Sequence, residues 1–172
     1  MCPLFTSYTE DENTLSENEQ EQEIKSYDDL SRRDVRSLIF HLLYTAESFD
    51  YQEPLQSIVD NYNRGFNLDI PFDSELVAVT NSIIHDRDEL EKMYGAYLSN
   101  WRIDRVSVCT KLILVFGIWE LKNTETDARI IINEAIELAK CFAEEDAYRF
   151  VNGILDSIAK DLRKECNISN ES

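Results

Sequence analysis

Three arginines, Arg32, Arg33 and Arg36, crowd the first turns of a helix-patterned stretch. Residues four apart share a helix face, so Arg32 and Arg36 project together with Arg33 to one side. Three guanidiniums so placed can bind phosphate. The helix macrodipole disfavours cations near an N-terminus, so local helix energetics do not account for them. On charge alone, pairing with Asp28, Asp29 and Asp34 is as good an explanation. A second chemical stretch is Tyr148-Arg149-Phe150, in which Tyr148 could stack on a base, Arg149 could meet a phosphate, and Phe150 is as readily a core residue. Phosphate contacts combined with base stacking are what hold single-stranded RNA.

Catalytic chemistry finds no support. His41 and His85 are the two histidines; neither has an acidic residue three positions before it, and no HExxH spacing occurs. His85 reads as a surface histidine. No glycine-rich phosphate loop and no GxSxG elbow is present. Glu134 and Glu137 sit on a helix flank, where glutamates are solvated surface. No enzyme, metal site or cofactor is expected. Cys2, Cys109, Cys141 and Cys166 show no paired spacing, and two of them fall on apolar helical faces, so they read as reduced thiols. No apolar run approaches the roughly 20 residues of a bilayer span. Residues 1–25 lack the basic start and apolar stretch of a signal peptide. The expectation is a soluble, cytoplasmic protein that does not meet a membrane.

The formal charge of −17, from 34 acidic and 17 basic residues, opposes non-specific attraction to nucleic acid. Its distribution softens that objection. The first 30 residues contribute −8 and the remaining chain −9. Residues 1–28 are rich in Glu, Asn, Gln and Ser without a sustained period, and read as a disordered acidic tail. A solvating extension is its simplest role; shielding of the basic cluster is the sharper alternative.

The rest of the chain must position these groups, and its periodicity is helical. Four glycines and three prolines leave too few turn signals for an all-β protein, while a hydrophobic fraction of 43% suffices for a core. Asp28, Asp29 or Ser31 can cap a first helix with Val35, Leu38, Ile39, Leu42, Leu43 and Ala46 inward. Pro54 suits the first turn of a second helix, which Arg64-Gly65 ends. A third region begins at Asp73 or Ser74 and runs on through Leu98, with a bend expected near Asp86 to Asp88. Ser107 can cap the most apolar helix, Val108 to Leu121, which should be central. Gly117 within it, and Gly153 later, point to close helix approach. The stretch from Ile132 to Leu155 organises the fold, with two amphipathic patterns turned back on each other through an acidic connection.

Several separated segments between Ser31 and Leu162 resemble the NusB family of transcription antitermination factors. They are SRRDVRSLIFHLLYTAE, NWRIDR with the helix ending GIWEL, INEAIELAK, and FVNG. The resemblance implies an all-α, NusB-like fold of two small bundles with about seven helices. The helical domain would cover 29–164, and 165–172 would be a frayed tail. It also implies a non-enzymatic, RNA-binding adaptor. With the ribosomal protein NusE, such a factor binds boxA-type single-stranded RNA in ribosomal RNA transcription and joins the transcription elongation complex; a homodimer is left open.

Carried over by position, the family's arginine-rich start falls on Arg32, Arg33 and Arg36. Its RNA-contacting loop falls on Asp146, Arg149 and Phe150, and its NusE face on Tyr44 and Asp104. Two positions depart from the family pattern. Asp34 stands where a third basic residue often occurs, and Val115 replaces the arginine usual after the leucine, here Leu114. The competing reading is a NusB-fold interaction module that has lost RNA binding.

Overall fold

The computed structural model describes residues 25–98 and 106–170, by backbone alone at Lys25 and at 165–170. The acidic stretch before Lys25, and Asp104 with its neighbours, lie outside the described residues. Among the described residues six α-helices carry the fold: α1 (Arg32–Ser48), α2 (Leu55–Phe66), α3 (Glu75–Gly95), α4 (Val108–Asn123), α5 (Ala128–Phe142) and α6 (Ala147–Asn170). Two compact units divide the chain at Ala78/Val79, inside α3.

The first unit is built on α1 and α2. Ser31 caps α1 by accepting from Asp34 N–H at 3.2 Å, and the Asp34 carboxylate reaches back to Ser31 N–H at 3.2 Å. This capping box satisfies two amide donors that the helix itself leaves unpaired. Leu38, Ile39, Leu42, Leu43 and Ala46 follow as a buried stripe, each large member contributing about 1.5–3 kcal/mol by leaving water. Tyr62 of α2 bonds back to α1, its hydroxyl 3.0 Å from Thr45 Oγ1 and 3.3 Å from the His41 carbonyl.

Pro54 stands at the N-cap of α2 rather than inside its first turn. The helix passes through Gly65 and ends at Asn67, whose left-handed backbone (φ 50) supplies the stop. Asparagine tolerates that conformation because its short polar side chain bonds locally. After the stop, the Asn63 side-chain amide clamps Ile70, donating to its carbonyl at 3.0 Å and accepting from its N–H at 2.9 Å.

The clamped loop holds strand β2 (Leu68–Asp69), which pairs in parallel with β1 (Lys25–Ser26) in the register Lys25↔Leu68 and Ser26↔Asp69. A 3-10 turn at Tyr27–Asp29 then leads into the cap of α1. Residues 25–28, read from composition as the end of a disordered tail, therefore carry secondary structure. Two-residue strands have no periodicity to detect.

In the second unit α4 is the central element. Every residue from Leu112 to Glu120 is buried, as an all-round apolar helix requires. Ser107 caps it, its hydroxyl accepting from Thr110 N–H at 3.3 Å. Helices α5 and α6 pack on α4 and on each other. Gly117 is where Leu155 approaches: a β-carbon there would lie 2.8 Å from Leu155 Cδ1. Gly153 differs. It is exposed with nothing within 4 Å, so no helix approaches it closely. Helix α3 runs unbroken through Asp86–Asp88, where Arg87 Nη1 donates to the Ile84 carbonyl at 3.0 Å. Trp119 Nε1 donates to Ser82 at 3.0 Å, tying the α3 portion of this unit to α4. Helix α6 continues to Asn170, past the Lys164 boundary expected from composition.

No helix among the described residues is long and apolar enough to cross a membrane.

Candidate nucleic-acid interface

Candidate residues occur in both units. In the first, Arg32 and Arg33 are exposed on the opening turn of α1 and Arg36 is half-buried one turn on. Asp34 shares this turn, but its Oδ2 accepts both from Ser31 N–H at 3.2 Å and from Ser31 Oγ at 2.8 Å. The acid is thereby committed to the helix end, where negative charge also complements the macrodipole. Arg32 makes no ion pair among the described residues. Asp34 is thus occupied at the helix end, and the guanidinium of Arg32 is exposed. Further along α1, the Tyr44 ring is 43% exposed and lies 6.4 Å from that of Phe40, centroid to centroid.

In the second unit the candidates gather at the turn between α5 and α6. Asp146 has a left-handed backbone (φ 68) and its carbonyl accepts from Arg149 N–H at 3.0 Å, shaping the entry to α6. Its carboxylate lies 3.5 Å from Arg149 Nε. Arg149 Nε also donates to Tyr148 Oη at 3.1 Å; this bond, aided by the Asp146 charge, raises the guanidinium pKa further above its ordinary value. Arg149 therefore keeps its charge.

Phe150 is half-buried and lines a cavity of about 280 Å³ with Val106, Ser107, Thr110, Glu144 and Asp146. Half-burial leaves both sequence alternatives for Phe150, core residue and RNA contact, open. At the cavity wall Thr110 Oγ1 donates to Glu144 Oε2 at 3.1 Å. Hydrogen bonding from Ser107, from its own backbone N–H and from Thr110 holds the Glu144 carboxyl below its usual pKa. The acid stays ionised at the mouth of the cavity.

The structure thus brings Asp146, Arg149 and Phe150 together, and separately Arg32, Arg33 and Arg36. Sequence reasoning missed Lys140, whose Nζ lies 5.7 Å from the Tyr148 ring centroid. Only a turn that reverses the chain between them could have revealed it. Cys141 is exposed, Cys109 is half-buried, and both are free thiols. Among the described residues no cluster of His, Cys, Asp and Glu could hold a metal ion.

An all-helical protein of two small units, with cationic and aromatic side chains at helix ends, is the class this architecture defines. The chain belongs to the NusB family, whose model matches residues 8–160. Among similar proteins, the transcription antitermination protein NusB of Methylacidiphilum infernorum is 32% identical over 141 residues, covering 81% of this chain and 98% of that protein. The protein of the same description from Clostridium botulinum is 34% identical over 134 residues, covering 76% and 96%. Among solved structures, T. maritima NusB matches with a TM-score of 0.65 at 30% identity, over 76% of this chain and 92% of that one. A chain in the structure described as "Crystal Structure of a Plectonemic RNA Supercoil" shares the fold, with a TM-score of 0.66 at 22% identity over 76% and 95%.

Proposed function

We propose that this protein is a non-enzymatic, cytoplasmic adaptor in transcription antitermination. It holds boxA-type single-stranded RNA of ribosomal transcripts together with ribosomal protein NusE and delivers both to the elongation complex. Arg32, Arg33, Arg36 and Arg149 take the phosphates, Phe150 meets a base, and Asp146 sets the loop that presents them. Tyr44 and Asp104 belong to the NusE face.

The observation that carries this reading is the opening turn of α1. Asp34, the acid within this turn, is engaged by Ser31, and Arg32 stays exposed. If about three phosphates are neutralised, a single-strand slope of roughly −0.7 per contact predicts about a 20-fold loss of affinity between 50 and 200 mM salt. RNA affinity by itself is then modest. The net charge of −17 makes a basic protein partner the natural source of additional affinity.

That same charge favours the second reading, an interaction module without RNA binding. Binding of a boxA-type RNA is to be measured with and without NusE at two salt concentrations, for the native chain and for Arg32→Glu/Arg36→Glu. The adaptor reading expects salt-sensitive binding that NusE strengthens and the double substitution abolishes, with NusE binding retained. NusE binding with no gain in RNA affinity would leave the interaction module.

A further inference from the structure

The α5–α6 corner brings two cations to one aromatic ring. Lys140 Nζ lies 5.7 Å and Arg149 Cζ 5.5 Å from the Tyr148 ring centroid. Both cations are also paired with acids: Lys140 Nζ with Glu137 Oε1 at 2.7 Å and Arg149 Nε with Asp146 Oδ1 at 3.5 Å. These four side chains are 45–70% exposed, and ion pairs so open to water are weak and exchange readily. The tyrosine is different. It is half-buried, stands in the first turn of α6, and its hydroxyl accepts from Arg149 Nε at 3.1 Å. A positioned ring thus has two exchangeable cations within about 6 Å of its centroid.

We propose that Lys140 and Tyr148 join Arg149 in a one-nucleotide subsite for single-stranded RNA, with a base stacked on the Tyr148 ring and its phosphate held by Lys140 Nζ and Arg149. This rests on the RNA-binding reading above and adds two contacts to it. On binding, the base replaces a cation at the ring face, and that cation exchanges its carboxylate for the phosphate. Each interaction lost has a counterpart gained: base stacking for a cation–π contact, and a phosphate pair for a carboxylate pair. Because every base has a π-face, the subsite adds affinity with little sequence preference. An acidic protein segment could meet the two cations, but it would leave the ring's stacking capacity unused.

The test measures binding of a labelled boxA-type RNA by the full chain and by Tyr148→Leu, Tyr148→Phe, Lys140→Gln and Arg32→Glu. A second RNA carries abasic positions in place of bases. Tyr148→Leu is expected to weaken binding about 10-fold, whereas Tyr148→Phe keeps most of the affinity. The Tyr148→Leu penalty should disappear on the abasic RNA. Lys140→Gln should lower the salt slope by roughly 0.7.

If Arg32→Glu weakens binding while Tyr148→Leu and Lys140→Gln match the native chain, the subsite falls and RNA binding stands. If the native chain binds no RNA, both fall. Should Tyr148→Leu also lower the melting temperature, Lys140→Gln decides: an unchanged slope overturns the subsite. A Tyr148→Leu penalty that persists on the abasic RNA does so as well, since no base is then being stacked.

Discussion

Leu155 on α6 fills the notch left by Gly117 on α4, its Cδ1 and Cδ2 lying 2.8 and 3.1 Å from where a β-carbon would stand. Both residues are buried, Leu155 completely. Overpacking a core costs about 1–3 kcal/mol, while replacing a helical glycine by alanine returns about 1 kcal/mol of propensity. Gly117→Ala should therefore destabilise by about 1 kcal/mol in urea unfolding. Pairing it with Leu155→Val should recover part of what the two lose separately, because contacting residues are non-additive. A more stable Gly117→Ala would show that Leu155 yields without penalty.

Gly153 gives the opposite expectation. It is helical, exposed and has open space around its Cα, so an added methyl only restricts the unfolded chain and improves helix propensity. Gly153→Ala should stabilise by about 0.5–1 kcal/mol. A higher urea midpoint at an unchanged slope is the expected result, and any loss of stability would contradict the open surroundings.

Asp34 trades charge for helix capping. Asp34→Arg should remove the bonds that the carboxylate accepts from Ser31 N–H and Oγ, leave the backbone bond from residue 34 to Ser31 Oγ, and lower stability by up to about 1 kcal/mol, while placing another cation beside Arg32 and Arg33. The salt slope of RNA binding should steepen by roughly 0.7. Urea unfolding and RNA titration at two salt concentrations would read both effects. A steeper slope without lost stability would mean that the capping box contributes little.

His41 makes the fold sensitive to acid. Burial lowers its pKa from 6.5 to about 4, so the unfolded chain takes up a proton more readily than the folded one. Stability is complete above pH 6.5, falls as the pH drops, and stops falling from this cause below about 4. Between pH 7 and 5 the loss is about 2 kcal/mol. His41→Gln should flatten that part of the stability profile relative to the native chain. If the two profiles run parallel, the histidine is not its source.

The legible part of the sequence was what repeats. The stripe on α1, the all-round apolarity of α4 and the Ser107 cap each follow from residue type and spacing, and Gly117 follows from the cost of glycine in a helix. Gly153 carries the same composition signal without the contact, because a sequence does not say which side of a helix a neighbour occupies. Asn67 outranks Gly65 as the stop of α2 through a conformation shared by both residue types. In the candidate site, Arg149 and Phe150 are sequence neighbours and were visible. Lys140 was not, since its meeting with Tyr148 depends on the left-handed turn at Asp146. Asp34 was legible as a charge, but its partner became clear only once the helix end was located.

The two-residue ladder between β1 and β2 has a kinetic meaning as well. It joins residues separated by the whole of α1 and α2, so closing it carries the entropy cost of a long loop that its few hydrogen bonds repay only slightly. Such a ladder should open by local unfolding while the helices stay intact. Its amides would exchange with solvent long before those of α4, making it a latch at Lys25–Ser26 whose release leaves the helical core standing.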